Sequence, residues 1–217
     1  MNQDENYLHH RSAIRNSKES PLLQLPSEIR NRIWELALGF NHIDIREDIR
    51  QRSWPITSTV AIRPTHVLID KSRPLLPRSF VRPTFAAPKV CRQMYVEASR
   101  YMYTLNNFAF DNYRTFDCWI KNRVIGQRRL VTSIDVPYDY LRLYRTGHRQ
   151  LFHKKFENIK RIGVDVFEPY FAHHTFGVPF IESKNKTLQE LKHKEGQDLQ
   201  IEWTYSGQGG VALFNPL

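Results

Sequence analysis

The chain is poor in the residues that mark secreted scaffolds, membrane proteins and nucleotide-binding enzymes. Two cysteines in 217 residues, Cys91 and Cys118, are too few for a disulfide framework, and both fall in segments of helical periodicity. The expectation is an intracellular protein, cytoplasmic or nuclear, whose thiols pack as small apolar groups. No apolar run approaches the roughly 20 residues that a membrane-spanning helix needs, and mean hydropathy is -0.55, so no membrane partner is expected. Met1 to Ser20 has no apolar stretch of the kind a secretory signal requires. The nine glycines form no Gly-x-Gly-x-x-Gly fingerprint, phosphate loop or Gly-x-Ser-x-Gly elbow. His173 and His174 lack the neighbouring Cys or Glu of a zinc motif, so no metal and no cofactor is expected. Asp135, Asp139 and Asp165 lie near strand ends, where α/β active sites often sit, but no nucleophile accompanies them. Solvated strand-end carboxylates and a non-enzymatic protein are the expectation.

What is present is a core and a positive charge. Hydrophobic residues make up 41% and aromatics 12%, enough for one domain, or one domain with a small appendage. The net charge of +10 favours an acidic partner. It is spread out: residues 1–100 carry 16 Lys and Arg against 10 Asp and Glu, and the remainder 16 against 12. One basic run contains Lys121, Arg123, Arg128 and Arg129. Another holds Arg142, Arg145, Arg149, Lys154, Lys155, Lys160 and Arg161, interleaved with Tyr138, Tyr140, Tyr144 and Phe152. Nucleic acid is therefore an alternative partner, with Arg128, Arg129, Arg142, Arg145 and Arg149 as contacts and the aromatics as stacking platforms. An ordinary solvated helix has the same pattern.

Residues 1–20 have no hydrophobic periodicity and read as a disordered tail. After Pro26, the spacing of Ile29, Ile33, Leu36 and Ala37 predicts a helix ending at Gly39, with Trp34 and Leu38 on a second apolar face. Strands are predicted at 42–46 and 66–70. The prolines of 71–88 predict a loop, within which Pro74-Leu75-Leu76-Pro77-Arg78 formally matches a polyproline docking motif. A second helix is predicted from Lys89 to Leu105, with a stripe of Cys91, Met94, Ala98, Met102 and Leu105. A short strand follows at Phe108, then a third helix carrying Tyr113, Phe116, Trp119 and Ile120. Ile134 and Val136 match Ile162 and Val164 in pattern, which suggests two parallel strands joined by a helix over Tyr140–Phe156. The alternation at 199–205 predicts a late strand, with Gly207, Gly209 and Gly210 as a loose end.

Leu25-Pro26-x-Glu28-Ile29-x-x-x-Ile33 resembles the first helix of the F-box, which binds the adaptor subunit of cullin-type ubiquitin ligases. Val90-Cys91-Arg92 resembles a later F-box helix. With Arg30-Asn31 and Trp34-Glu35 in the first helix, Gln93, Tyr95, Glu97 and Ala98 in the second, and Tyr103 to Phe110 after it, the chain resembles a large fungal family of F-box-like proteins, many of unknown function. The likeness covers about residues 22–166. It implies an adaptor or other protein partner meeting Leu25, Pro26, Ile29, Ile33, Trp34, Val90 and Cys91. The same residues also suit a private core. Leu25 and Val90 lie 65 positions apart, whereas an ordinary F-box holds both helices in one short module. A surface insertion of this kind costs little loop-closure entropy.

The expected fold class is α+β. The tail at 1–20 precedes an F-box-like helical region with a strand and loop insert over 21–125. A small strand-and-helix layer over 126–217 resembles irregular leucine-rich-repeat units, although two units do not define a solenoid.

Overall fold

The computed structural model describes residues 19–47, 58–64, 91–196 and 198–204, with the backbone alone described over 58–64. The tail, the strand expected at 66–70, the proline-rich stretch with its docking motif, Val90 and the glycine-rich end lie outside the described residues.

The element order is α1 (Pro21–Gln24), α2 (Ser27–Leu38), β1 (Asn41–Glu47), β2 (Ser58–Pro64), α3 (Arg92–Thr104), β3 (Asn107–Phe110), α4 (Tyr113–Lys121), α5 (Ile125–Leu130), β4 (Ser133–Val136), α6 (Tyr138–Arg145), α7 (Phe152–Lys155), β5 (Arg161–Asp165), α8 (Phe167–Phe176), α9 (Phe180–Glu195) and β6 (Gln200–Thr204). The fold class is α+β. One sheet runs in the order β2-β1-β3-β4-β5-β6. β2 pairs antiparallel with β1, and the other four pairings are parallel. Parallel neighbours need a crossover, and helices fill each one after β3. The matching patterns at 134–136 and 162–164 reflect the pairing itself, since Ile134 faces Ile162 and Val136 faces Val164. Strands from either side of position 125 share this sheet through the β3–β4 ladder.

Strand alternation sorts the two faces. Ile43, Ile45, Phe108, Phe110, Ile134, Val136, Ile162 and Val164 meet Phe116, Trp119, Tyr140, Tyr144, Phe152, Phe156 and Leu191 in the main core. His42, Asp44, Asn107, Ser133, Asp135, Arg161 and Glu202 alternate with these and line the other face. Arg161 ties that face together, donating to Asp135 at 2.8 Å on β4 and to Glu202 at 2.6 Å on β6. Burial opposes the Arg161 charge, but the two carboxylates more than offset it and its pKa is raised.

Three expectations need correction. The helix over Tyr140–Phe156 is two helices: α6 stops at Arg145, Gly147 takes a left-handed φ of 81°, and α7 starts at Phe152. Asp135 and Asp165 are buried rather than solvated, and burial raises the pKa of half-buried Asp139 despite hydrogen bonds from the Tyr113 and Tyr140 amides. Cys91 precedes its helix instead of joining the stripe, and its Sγ accepts from the Met94 amide at 3.5 Å. Helices α8 and α9 have no counterpart among the sequence expectations. In the first, Phe167, Tyr170, Phe171, Ala172 and Phe176 are spread around the helix among Glu168, His173 and His174, which leaves no amphipathic stripe to detect.

Candidate functional site

The residues that carry the likeness in the first hundred positions build a helix pair. α2 and α3 pack through Trp34, Leu38 and Ala98, flanked by Leu22, Met94, Tyr101 and Met102. Glu97 of α3 receives the Arg30 guanidinium at 2.9 and 2.7 Å, the Trp34 indole N–H at 3.2 Å and the Gln93 amide at 3.0 Å. The remaining Arg30 nitrogen donates to the carbonyls of Leu23 and Leu25, fastening the turn before α2 to α3. The Arg30 hydrogen bonds pull the Glu97 carboxyl down to about 2, against a smaller opposing effect of burial.

Asn106 seals the other end of the pair. Its side-chain N–H groups donate to the carbonyls of Leu38 at 2.7 Å and Met102 at 2.9 Å, and its oxygen accepts from the Asn41 amide at 2.8 Å. One amide thereby satisfies carbonyls at the ends of both helices and the backbone N–H at the start of β1. Gly39 stands between them because a Cβ there would lie 2.6 Å from the Glu35 carbonyl and 2.8 Å from the Leu105 side chain.

Helix α2 has two apolar faces, and the structure decides which is the core. Trp34 is 3% exposed and Leu38 is buried with it. The stripe read from spacing lies on the opposite side: Ile29 is 51% exposed, Leu36 is 60% exposed, and Ile33 between them is half-buried. Pro26 is exposed, while Leu25 and Cys91 are half-buried. Tyr95 and Val96 of α3 are also exposed. Leu36, Tyr95 and Val96 lie outside the partner set that the F-box likeness implies. Leu36 was detectable as the seventh residue after Ile29, once Trp34 and Leu38 are assigned inward by their bulk.

Among the described residues, some of the basic residues form ion pairs and others do not. Arg145 bonds Glu168 and Glu190, Arg149 pairs with Asp117 at 2.9 Å, and Arg129 pairs with Glu157 at 2.6 Å. Arg142 is exposed. Arg128 lines a cleft with Ile125, Arg129, Lys154, Lys155 and Glu157. Of the aromatic residues expected as platforms, Tyr140, Tyr144 and Phe152 are fully buried in the core and offer no open face to a base, with Arg149 and Lys155 lying over the Tyr140 ring at 5.5 and 5.8 Å, while Tyr138 is half-buried against Phe167 and Phe171. Among the described residues, no group of three or more His, Cys, Asp or Glu is placed to hold a metal. Among them also, no helix is long and apolar enough to cross a membrane.

Residues 15–157 match the model of a domain of unknown function, DUF7730, and the chain belongs to that family. No curated protein and no solved structure matches the chain.

Proposed function

We propose that this DUF7730 protein is a non-enzymatic protein-interaction module whose helix pair α2–α3 docks a partner, in the manner of an F-box-like adaptor recruiting a target to a cullin-type ubiquitin ligase. The observation that supports this reading is the second apolar face of α2. Ile29 and Leu36 remain at the surface while the helix already has a full set of core contacts through Trp34 and Leu38. A helix with one role needs one apolar face, and a second fits a groove in another protein. The clamp at Glu97 and the Asn106 seal hold that face on a fixed frame, which limits the ordering cost of binding.

Capture of the purified cullin adaptor tests the proposal. The native chain binds, and folded Ile29→Asp and Leu36→Asp variants lose capture, each removed apolar contact weakening the complex by about 1–3 kcal/mol. Failure of the folded native chain to capture the adaptor removes the ligase role.

A further inference from the structure

The cleft between α5 and the end of α7 has a cavity of about 200 Å³ lined by Ile125, Arg128, Arg129, Lys154, Lys155 and Glu157. Four cations face one carboxylate there, and that carboxylate is engaged by Arg129. Arg128, Lys154 and Lys155 have no ion pair among the described residues. Arg128 has, in addition, a buried Nε without an acceptor, a state shared among the described residues by Arg123 and Arg149. Those two lie over aromatic rings, Trp119 at 5.3 Å and Tyr140 at 5.5 Å, whereas no ring among the described residues lies beneath Arg128. Among the described residues nothing accepts from this donor.

We propose that this cleft binds the phosphoryl group of a phosphorylated serine or threonine on a protein partner. A phosphoryl dianion carries about two negative charges and strong acceptor oxygens, which suits a cleft where a guanidinium and two lysines face one carboxylate already engaged by Arg129. Burial lowers the Lys155 pKa, with Asp117 opposing this and Arg149 and Arg128 adding to it, so an anion in the cleft favours the charged lysine. The local charge pattern favours a peptide over a nucleic acid. Arg145 and Arg149 are neutralised by carboxylates, which leaves a footprint for one phosphate rather than a track for a backbone. Exposed Val124 and Ile125 border the cations and offer apolar contact to flanking residues. The partner being a protein rests on the interaction-module reading, but the cleft is separate from the Ile29 and Leu36 face.

The test is titration of the full chain with a capped phosphoserine peptide, its unphosphorylated counterpart, inorganic phosphate and a single-stranded oligonucleotide. Saturable binding of the phosphopeptide, at least about tenfold tighter than the unphosphorylated peptide and weakened about tenfold by Arg128→Gln or by Lys154→Gln, supports the site. Lys154 is exposed, so its variant tests the cleft even where Arg128→Gln lowers stability. Adaptor capture unaffected by Lys154→Gln keeps the two readings distinguishable. Binding of inorganic phosphate alone, equal binding of both peptides, indifference to both substitutions, or tighter oligonucleotide binding that displaces the phosphopeptide overturns the proposal.

Discussion

Arg30 and Glu97, 67 positions apart in sequence, form a two-point ion pair that joins helices α2 and α3 at 2.9 and 2.7 Å. Glu97 is ionised well below the ordinary carboxylate range because its charged form accepts these bonds. A group with a depressed folded-state pKa stabilises the fold fully above its unfolded value and loses that contribution as pH falls through the folded value. The helix pair is therefore expected to weaken between about pH 4.5 and about pH 2. In urea titrations across this window, Glu97→Gln should be less stable than the native chain at neutral pH and show a shallower loss on acidification.

Trp34 and Leu36 sit two residues apart and on opposite sides of α2. Trp34→Ala should destabilise the chain by about 3–5 kcal/mol, because it empties the centre of the smaller core. Leu36→Ala should stay within about 0.5 kcal/mol, as an exposed substitution does. Denaturant midpoints for the two variants check the assignment, and similar losses would contradict it.

Gly163 on β5 faces Asp135 on β4, and a Cβ at Gly163 would lie 2.0 Å from the Asp135 Oδ1. Gly163→Ala should cost about 1–3 kcal/mol through overpacking. A double-mutant cycle with Asp135→Ala should show coupling between the two positions, since that change removes the nearest clashing atom. Strict additivity would place the strain elsewhere.

Glu195, at the end of α9, accepts from the Tyr144 hydroxyl at 2.6 Å and from the backbone amides of Phe152 at 2.7 Å and His153 at 3.0 Å. Its fully enclosed side chain caps α7 from a distant helix. Glu195→Ala should destabilise by about 1.5–3 kcal/mol, because it leaves buried donors without an acceptor. Hydrogen exchange at the Phe152 and His153 amides should accelerate more than at β4.

The docking of Ile134 and Val136 beside Ile162 and Val164 was legible because a parallel ladder places like residues side by side. The N-terminus of α4 is set locally, as Asn112 accepts from the Thr115 amide at 2.9 Å within the same turn. The break between α6 and α7 was not legible. Tyr140, Tyr144 and Phe152 keep an apolar rhythm across it, and all three enter one core although a turn separates them. In the candidate docking face, Ile29 and Leu36 stood out by spacing, but their exposure depends on α3.

Sequence alone determined the local matters: the coiling of α2, α3 and α4, the extended segments of β1, β3, β4, β5 and β6, and the excess of positive charge. These follow from contacts within a few residues, which the order of side chains states directly. Tertiary structure decided which side of α2 faces inward, which arginines keep their charge unmatched, and which aspartates are buried. Each of those outcomes depends on residues tens of positions away, such as Glu97 for Arg30 and Asp117 for Arg149, and only the folded chain brings them within reach.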